Sequence, residues 1–352
     1  MRILITGGTG LIGRSLCKAL LADGHQLTVL SRHPESVAAK CGVGVRPRRG
    51  GAEPSGAGVA ALHLLPQTAG FAITSDLASV VGSPGRMASS SISNVSEVHA
   101  MTSLNEWLPE RTFDAVINLA GEPIADVSWS ATRKQVLRDS RIALTEKLVQ
   151  CIAVAKQKPS VLLSGSAVGF YGNGGDKELY ESASAGNDFA ASLCRDWESA
   201  AWAAKASGVR VCLLRTGLVL SRNGGLLRKM VLPFKLGLGA RLGNGKQWMG
   251  WVHIDDYVAM VLRLLQDGQL SGPFNMTAPN PVTNAEFTRV LARTLHRPAI
   301  FVAPASMLRL AMGERAALLL EGQRVLPANL AEAGYQFKYP KLSSALDALL
   351  RR

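Results

Sequence analysis

The chain has 352 residues, of which 47% are hydrophobic and 18% charged, and its net charge is +13 at neutral pH. A disordered chain would be poorer in apolar residues and richer in charge, so this composition predicts a globular protein with a sizeable core. The length favours two domains, or one large domain with a smaller lobe. The 39 Lys and Arg residues are scattered, and the densest run holds three arginines within residues 46–49. Because the sequence contains no block of like charges, it does not favour nucleic acid as a partner.

The five cysteines are odd in number, lie far apart and include no Cys-x-x-Cys pair. This pattern argues against a disulfide framework and against a zinc site, and we predict no metal. No apolar run approaches the ~18 residues that a membrane span needs. The sequence opens directly on a β-rich run without a signal-peptide pattern. We therefore expect a soluble, cytoplasmic protein without a membrane partner.

The first thirty residues have the pattern of a β-α-β unit, with strands at 2–6 and 26–30 and a helix at 14–22. Between the first strand and the helix stands Gly7-x-x-Gly10-x-x-Gly13. Glycine permits a tight turn and a close approach of a pyrophosphate to the backbone, and a helix N-terminus attracts phosphates. We predict a dinucleotide site with contacts from Gly7, Thr9, Gly10, Leu11, Ile12 and Gly13.

The end of the second strand predicts which dinucleotide binds. Binders of NAD place Asp or Glu there, on the ribose 2′-hydroxyl. This chain has Ser31 and Arg32 instead. A guanidinium matches the geometry of a phosphate. We therefore predict NADP as the cofactor, with Ser31 and Arg32 at its 2′-phosphate, although Arg32 could also be a solvated loop residue.

Residues 41–94 are rich in Gly, Ser, Ala, Pro and Arg and show little periodicity. Such a composition rarely offsets the entropy that is lost when the chain becomes ordered. A long loop of this kind is either functional or disordered, and the composition favours disorder. We interpret it as a mostly flexible insertion before a third strand near 95–100.

The middle of the chain continues the alternation of strands and helices. Residues 113–121 predict a buried parallel strand that ends in small residues, followed by one long helix over 132–156. Ligands of doubly wound sheets lie beyond the carboxyl ends of the strands, so Asn118, Ala120 and Gly121 are predicted beside the cofactor. Strands near 161–166 and 209–214 flank a helix at 188–206.

The C-terminal third contains a helix start at His253-Ile254-Asp255-Asp256, with Asp255 as the predicted cap of a helix that runs to about residue 265. Two neighbouring tryptophans, Trp248 and Trp251, either line a substrate cleft or pack a small lobe. Three cations, Lys235, Arg241 and Lys246, either meet an anionic substrate or lie on a solvated surface.

Taken together, these motifs resemble extended short-chain dehydrogenases/reductases of the NAD(P)-dependent epimerase/dehydratase family, and more narrowly its YfcH-like epimerase subgroup. The matching stretches are 6–13, 118–124, 164–172, 214–217, 232–234, 247–256 and 334–340. The resemblance implies a Rossmann fold, NAD(P) binding and hydride chemistry at a hydroxyl-bearing carbon. It also implies cofactor contacts by Leu119, Glu122 and Arg215, which lie in the matching motifs.

Members of the wider class use a Ser, a Tyr and a Lys four residues after the Tyr. A phenol with an ordinary pKa near 10 needs a neighbouring cation if it is to act as a base at neutral pH. Here the Tyr and Lys positions fall at Ala190 and Cys194, or after a slip of one residue at Phe189 and Leu193. Neither placement supplies a phenol or an ammonium. The remaining catalytic candidates are Ser166, with Ser164 on the same strand as the alternative for the expected Ser, and Tyr171, which follows that strand and otherwise only packs.

We therefore predict an α/β protein with a doubly wound parallel sheet and a smaller, discontinuous C-terminal substrate lobe. Residues 1–220, completed by 252–278, form the predicted NADP-binding domain, and 221–250 with 279–352 form the lobe. Two functions stay open. One is an NADP-dependent oxidoreductase or epimerase on a small, nucleotide-sugar-like molecule, and the other is a non-catalytic NADP(H)-binding or sensing protein. A homodimer is compatible with either function.

Overall fold

The computed structural model describes residues 1–41 and 98–351. The predicted insertion at 41–94 lies outside the described residues except for its first position. The described strands run, in chain order, β1 Arg2–Thr6, β2 Gln26–Leu30, β3 Val98–Met101, β4 Ala115–Asn118, β5 Val161–Ala167, β6 Glu178–Leu179, β7 Arg210–Thr216, β8 Leu218–Leu220, β9 Ala240–Leu242, β10 Trp248–Met249, β11 Trp251–His253, β12 Gly272–Met276, β13 Val282–Thr283, β14 Phe301–Ala303 and β15 Arg324–Val325.

The α-helices of the described residues alternate with these strands. They run α1 Leu11–Ala22, α2 Val37–Lys40, α3 Ala131–Arg138, α4 Leu144–Val154, α5 Phe189–Trp202, α6 Gly225–Lys235, α7 Ile254–Gln266, α8 Asn284–Thr294, α9 Ala305–Met312, α10 Ala317–Leu320, α11 Ala328–Glu332 and α12 Leu342–Leu350. None of them is long and apolar enough to cross a membrane.

The central sheet has seven strands in the order β3-β2-β1-β4-β5-β7-β12, and every pair is parallel. The order reverses beside β1, as in a doubly wound Rossmann sheet, so the predicted fold class is confirmed. Both faces of the sheet are buried, because alternate residues enter two separate cores. Ile3 and Ile5 pack on the side of α1 and α7, whereas Leu4 packs with Leu148 of α4 on the other side.

The register of this sheet aligns polar residues at its carboxyl edge. Thr6 pairs with Asn118, and Asn118 pairs with Ser164. One step further along, Ser166 of β5 lies beside Arg215 of β7. Since parallel strands end at the same edge, these pairings bring the polar ends of four strands together.

The helix predicted over 132–156 contains a change of helical type. α3 and α4 are joined by a π-helical turn at Asp139–Ala143. A π turn adds one residue to the helical repeat and often marks a functional site. It displaces Arg141, whose Nη2 donates to the carbonyl of Glu122 at 2.8 Å.

A third core lies beyond the central sheet and joins the later parts of the chain. Phe234 of α6, Trp251, Phe287 of α8 and Leu346 of α12 meet there. Trp251 is fully buried and its Nε1 donates to the carbonyl of Asn280, whereas Trp248 lies at the wall of a cavity. Packing is therefore the role of Trp251, and cleft lining is the role of Trp248. The predicted domain boundaries stay a prediction.

His253 caps α7, and the prediction that Asp255 does so is wrong. Nδ1 of His253 accepts the backbone N–H of Asp255 at 3.0 Å. The ring is buried and its centroid lies 3.9 Å from that of Tyr339. Burial lowers the pKa of His253, and the carboxylates of Asp255 and Asp256 oppose that change only in part. The cap therefore depends on a neutral imidazole.

Asp256 connects the same helix to the C-terminal motif of the chain. Its two carboxylate oxygens accept the backbone N–H groups of Lys338 at 2.8 Å and Tyr339 at 2.9 Å. The side chain is 1% exposed. The carboxylates of Asp255 and Asp256 at the start of the helix also interact favourably with the positive end of its dipole.

We expect the substitution His253→Asn to reduce the acid sensitivity of the fold. The folded-state pKa of His253 lies below its ordinary 6.5, so the unfolded chain takes up the proton first as the pH falls. The stabilisation is present above about pH 6.5 and is lost as the pH falls towards the folded-state pKa. Asn is itself a good cap. Urea unfolding at about pH 7.5 and about pH 5.5 should show a smaller loss of stability for the variant. His33→Asn changes an exposed histidine and is the control. An equal loss of stability in the wild type and in His253→Asn would contradict this assignment.

Candidate functional site

The turn between β1 and α1 is packed too closely to hold a side chain at two of its glycines. Gly7 has a φ of +70°, and a Cβ there would lie 2.5 Å from the carbonyl oxygen of Leu119. A Cβ at Gly13 would lie 2.2 Å from the carbonyl oxygen of Gly7. The N–H of Gly10 donates to that same oxygen at 3.0 Å, which closes the turn. The turn therefore presents bare backbone to a ligand.

The N-terminus of α1 has free hydrogen-bonding capacity. Its N-cap, Gly10, supplies no side-chain hydrogen bond, and the first turn holds no acidic residue. The first N–H groups of a helix lack partners inside it, and the dipole is positive at this end. Of the other predicted contacts, Thr9, Leu11 and Ile12 are half-buried in this turn. The arrangement suits a phosphate or pyrophosphate.

The end of β2 places an exposed cation at the side of the glycine turn. The hydroxyl of Ser31 accepts the N–H of His33 at 3.1 Å and so shapes the turn after the strand. The side chain of Arg32 is 86% exposed, and its Nη2 lies 3.3 Å from Oε1 of Glu122. An ion pair this exposed contributes little stability, so the guanidinium is able to exchange its partner.

Asn118, at the end of β4, bonds inward. Its Oδ1 accepts the hydroxyl of Thr6 at 2.6 Å, and its Nδ2 donates to the hydroxyl of Thr145 at 2.8 Å. The side chain is therefore a brace between β1, β4 and α4, and what faces the glycine turn is the backbone of 119–121. A Cβ at Gly121 would meet the Arg141 guanidinium at 2.9 Å. Burial lowers the pKa of Arg141.

A buried ion pair lies where the sequence predicted the catalytic hydroxyls. Arg215 and Glu198 are each 5% exposed and form two parallel hydrogen bonds, from Nε to Oε1 and from Nη2 to Oε2, both 2.9 Å. The hydroxyl of Ser166 donates to Oε1 of Glu198 at 2.6 Å. Nη1 of Arg215 donates to the hydroxyl of Tyr171 at 2.9 Å. That hydroxyl donates in turn to Oδ1 of Asn275 at 2.7 Å.

This network determines what its members are able to do. Four of the five N–H groups of the Arg215 guanidinium donate to protein acceptors: two to Glu198, one to Tyr171 and one to the carbonyl of Glu181. The predicted cofactor contact by Arg215 therefore has no geometric support, because partners inside the protein already accept its hydrogen bonds. Burial raises the pKa of Tyr171, and the neighbouring Arg215 reverses this only in part. The catalytic roles of Ser166 and Tyr171 stay predictions.

Helix α5 presents small, uncharged residues at the positions where related enzymes carry their phenol and ammonium. Ala190 and Cys194, one turn apart, both line a cavity next to the end of β5. Burial raises the pKa of Cys194 to about 12, and the Glu198 carboxylate adds to this, so its thiol is not a base at neutral pH. The alternative placement on Leu193 is not at the cavity, because that side chain is buried in α5.

The cavity has a volume of about 550 Å³. It lies between Ala167–Gly169, at the end of β5, and the helices α6 and α10. The segment that closes it, residues 314–323, had not been predicted to line a site. Among residues 1–41 and 98–351, no group of three or more His, Cys, Asp and Glu side chains is placed to hold a metal ion.

Glu198 is the other residue that sequence reasoning missed. It follows Ala191 and Cys194 at helical spacing on the buried face of α5. A carboxylate on an otherwise apolar helical face is a signal of a buried partner. The sequence alone does not indicate which of the many arginines is that partner.

Comparison with known proteins gives a consistent picture. Residues 3–277 match the family model of the NAD dependent epimerase/dehydratase family, and 303–349 match a domain of unknown function, DUF1731. The chain is 44% identical to epimerase family protein Mb2239 of Mycobacterium bovis over 280 residues, which are 79% of this chain and 92% of the relative. It is 33% identical to the chloroplastic SDR39U1 homolog of Arabidopsis thaliana, over 100% of this chain and 87% of the relative. The resemblance inferred from the motifs is confirmed.

Among solved structures, the human epimerase family protein SDR39U1, isoform 2, crystallised with NADPH, has a TM-score of 0.77 to this chain. The two are 29% identical and the match covers 100% of both chains. The likeness therefore extends over the central sheet and the C-terminal elements alike.

We expect the substitution Gly13→Ala to destabilise the fold by about 1–3 kcal/mol, because the new methyl group overlaps backbone that must shift. The free energy of unfolding in urea measures the effect. Gly268→Ala is the matched control, since a Cβ there meets open space. Its stability should change by less than about 1 kcal/mol. Equal effects of the two substitutions would show that the close approach at Gly13 is not a real constraint.

Proposed function

The chain belongs to the NAD-dependent epimerase/dehydratase family, and we propose that it binds NADP(H) and acts as an NADP(H)-dependent oxidoreductase or epimerase on a small molecule. The observation that carries this proposal is the exposed Arg32 beside a glycine turn that has no room for side chains. The human relative was crystallised with NADPH, which supports the same choice of cofactor.

The residues present fit an NADP(H) molecule along the carboxyl edge of the sheet. The uncapped N-terminus of α1 would hold the pyrophosphate, and Arg32 would hold the 2′-phosphate. Glu122 would then give up its contact with Arg32 and keep its contact with Arg133, whose Nη1 lies 3.6 Å from Oε2. The backbone of 119–121 would border the cofactor on the side of β4.

When bound, the nicotinamide supplies or accepts a hydride. Its partner molecule would lie in the cavity at the end of β5. A reaction on a hydroxyl-bearing carbon also needs a group that moves a proton, and neither Ala190 nor Cys194 is able to do so. Within the buried network, Ser166 and Tyr171 are the hydroxyls nearest to this end of the sheet, and either would have to release a present partner before acting.

The missing phenol and ammonium favour a second candidate function, an NADP(H)-binding protein without turnover. The two functions differ in one measurement, the oxidation of NADPH by the protein across a broad panel of carbonyl compounds. Turnover that is lost in Ser166→Ala or in Tyr171→Phe supports the enzyme. Tight NADPH binding without turnover across the panel supports the second function. A homodimer and a cytoplasmic location stay predictions.

We expect the substitution Arg32→Ala to weaken NADPH binding about 10- to 100-fold and to leave NADH binding unchanged. Charge-assisted hydrogen bonds contribute about 1.5–3 kcal/mol, and NADH lacks the phosphate that would accept them. Titration followed by nicotinamide fluorescence measures both affinities. Lys18→Ala, which removes one exposed cation from α1, is the charge-matched control. Equal losses for NADPH and NADH would contradict the assignment of Arg32 to the 2′-phosphate.

A further inference from the structure

The wall of the cavity is mostly apolar on all sides. Met230 and Phe234 of α6, Leu318 of α10, and Trp129 and Met249 all belong to its lining. At about 550 Å³ its size is that of an ordinary small-molecule site. Apolar surface of this kind gains free energy by excluding water, in proportion to the apolar area that a ligand covers.

The charges at the cavity do not suit a phosphate. Lys229 is the one cation in the described lining, and its Nζ lies 2.8 Å from Oδ1 of Asp126. Three carboxylates, Asp188, Glu314 and Glu321, belong to the same lining. The Lys229–Asp126 pair is exposed and is able to exchange its partner, but a diphosphate that enters such a site loses its hydration and meets this single cation against three carboxylates of the described lining.

The three cations that the sequence offered for an anionic substrate lie elsewhere. Lys235, Arg241 and Lys246 are absent from the described lining of the cavity. Lys235 and Lys246 are exposed, and the backbone carbonyl of Lys235 holds Arg297 on the outer surface. Lys235 and Lys246 therefore belong to a solvated face, which was the alternative left open, whereas Arg241 is half-buried.

One polar group of the wall has a hydrogen-bond acceptor without a partner among the described residues. Nε2 of Gln247 donates to the carbonyls of Leu242 at 3.1 Å and Leu319 at 2.8 Å, and these two acceptors fix the orientation of the amide. Its Oε1 is buried and has no hydrogen-bond partner among the described residues. A buried acceptor in this state is unfavourable. Because the atom is closed off in the observed geometry, a ligand hydroxyl that donates to it requires a small shift of the wall, and the new hydrogen bond would then remove the cost.

We propose that this cavity binds an uncharged, largely apolar alcohol or its carbonyl counterpart, and that it excludes nucleoside-diphosphate sugars. The hydroxyl of the alcohol donates to Oε1 of Gln247, and the apolar part lies between α6 and α10. The proposal rests on the proposed function only in placing this ligand beside a bound nicotinamide. It departs from the nucleotide-sugar-like substrate that the sequence suggested.

The test is a binding series of 1-alkanols from butanol to octanol, followed by tryptophan fluorescence, since Trp129 and Trp248 line the cavity. Each added methylene should raise the affinity about 3- to 4-fold. UDP-glucose should neither bind in the cavity nor displace octanol. Heptyl methyl ether, an isomer of octanol without a hydroxyl donor, should bind more weakly than octanol. Affinities independent of chain length, or displacement by UDP-glucose, would overturn the proposal, and equal affinities of the two isomers would overturn the role of Gln247.

Two substitutions on one helix provide the matched control. Met230→Lys places a charge in the cavity wall and should weaken octanol binding at least about tenfold. Leu232→Lys makes the same kind of change at a side chain that is 65% exposed and outside the lining, and should leave octanol binding within about twofold. Leu318→Lys on the opposite wall repeats the test if Met230→Lys does not fold. Equal binding by the wall variants and the Leu232 control would overturn the proposal.

NADPH titration separates this proposal from the proposed function. The alkanol series is measured on the full chain both without and with saturating NADPH. Absence of NADPH binding overturns the cofactor assignment alone, because the alkanol series is still measurable. Normal NADPH binding, together with no alkanol binding, overturns the cavity proposal alone.

Discussion

The candidate site depends on backbone that approaches backbone too closely for a side chain to fit. The turn at Gly7 lies against the carbonyl of Leu119, and the first turn of α1 lies against the carbonyl of Gly7 through Gly13. These approaches fix the start of α1 relative to the ends of β1 and β4. The unpaired N–H groups of the helix therefore point across the carboxyl edge of the sheet, where the register has aligned Thr6 and Asn118. An anion site and a rigid sheet edge follow from the same contacts.

The buried pair of Arg215 and Glu198 organises the other half of that edge. Breaking a buried ion pair by removing one partner costs about 3–5 kcal/mol, because the remaining charge is left without compensation. The pair thus holds β7 and α5 together, and the hydroxyls of Ser166 and Tyr171 are further hydrogen-bond partners. The resemblance implies residues for proton transfer at two positions of α5. In this chain those positions hold Ala190 and Cys194, which line the cavity and carry no charge. This is why the choice between an enzyme and a binding protein depends on turnover and cannot be made from cofactor binding.

Local patterns predicted the features that depend on neighbours in the sequence. The glycine spacing, the strand before it and the helix after it specify the turn at Gly7 to Gly13, and Arg32 follows at a fixed distance. The doubly wound parallel sheet was predictable for the same reason. Features that depend on contacts across the chain were not. The partner of Arg215 is 17 residues away and indistinguishable from other acids in the sequence. The π turn before Leu144 has no composition signal, and the imidazole of His253 caps α7 at a position where the acids beside it were the expected caps.

The cavity is the place where the proposed cofactor would meet its substrate. Its wall comes from five separated parts of the chain, 124–129, 167–194, 218–250, Asn284 and 314–323, so its apolar character emerges only when they are packed together. Under the two proposals, the phosphates would be recognised at the glycine turn and Arg32, beyond β1 and β2, and the apolar ligand in the cavity at the end of β5.

The central claim is that Arg32 and the glycine turn recognise the 2′-phosphate of NADP(H). The most direct measurement is competition against bound NADPH by adenosine 2′,5′-bisphosphate and by adenosine 5′-monophosphate, which differ only in that phosphate. Adenosine 2′,5′-bisphosphate should displace NADPH at a concentration at least about tenfold lower, since the charged hydrogen bonds to the phosphate contribute at least about 1.5 kcal/mol. Equal displacement by the two nucleotides would contradict the claim.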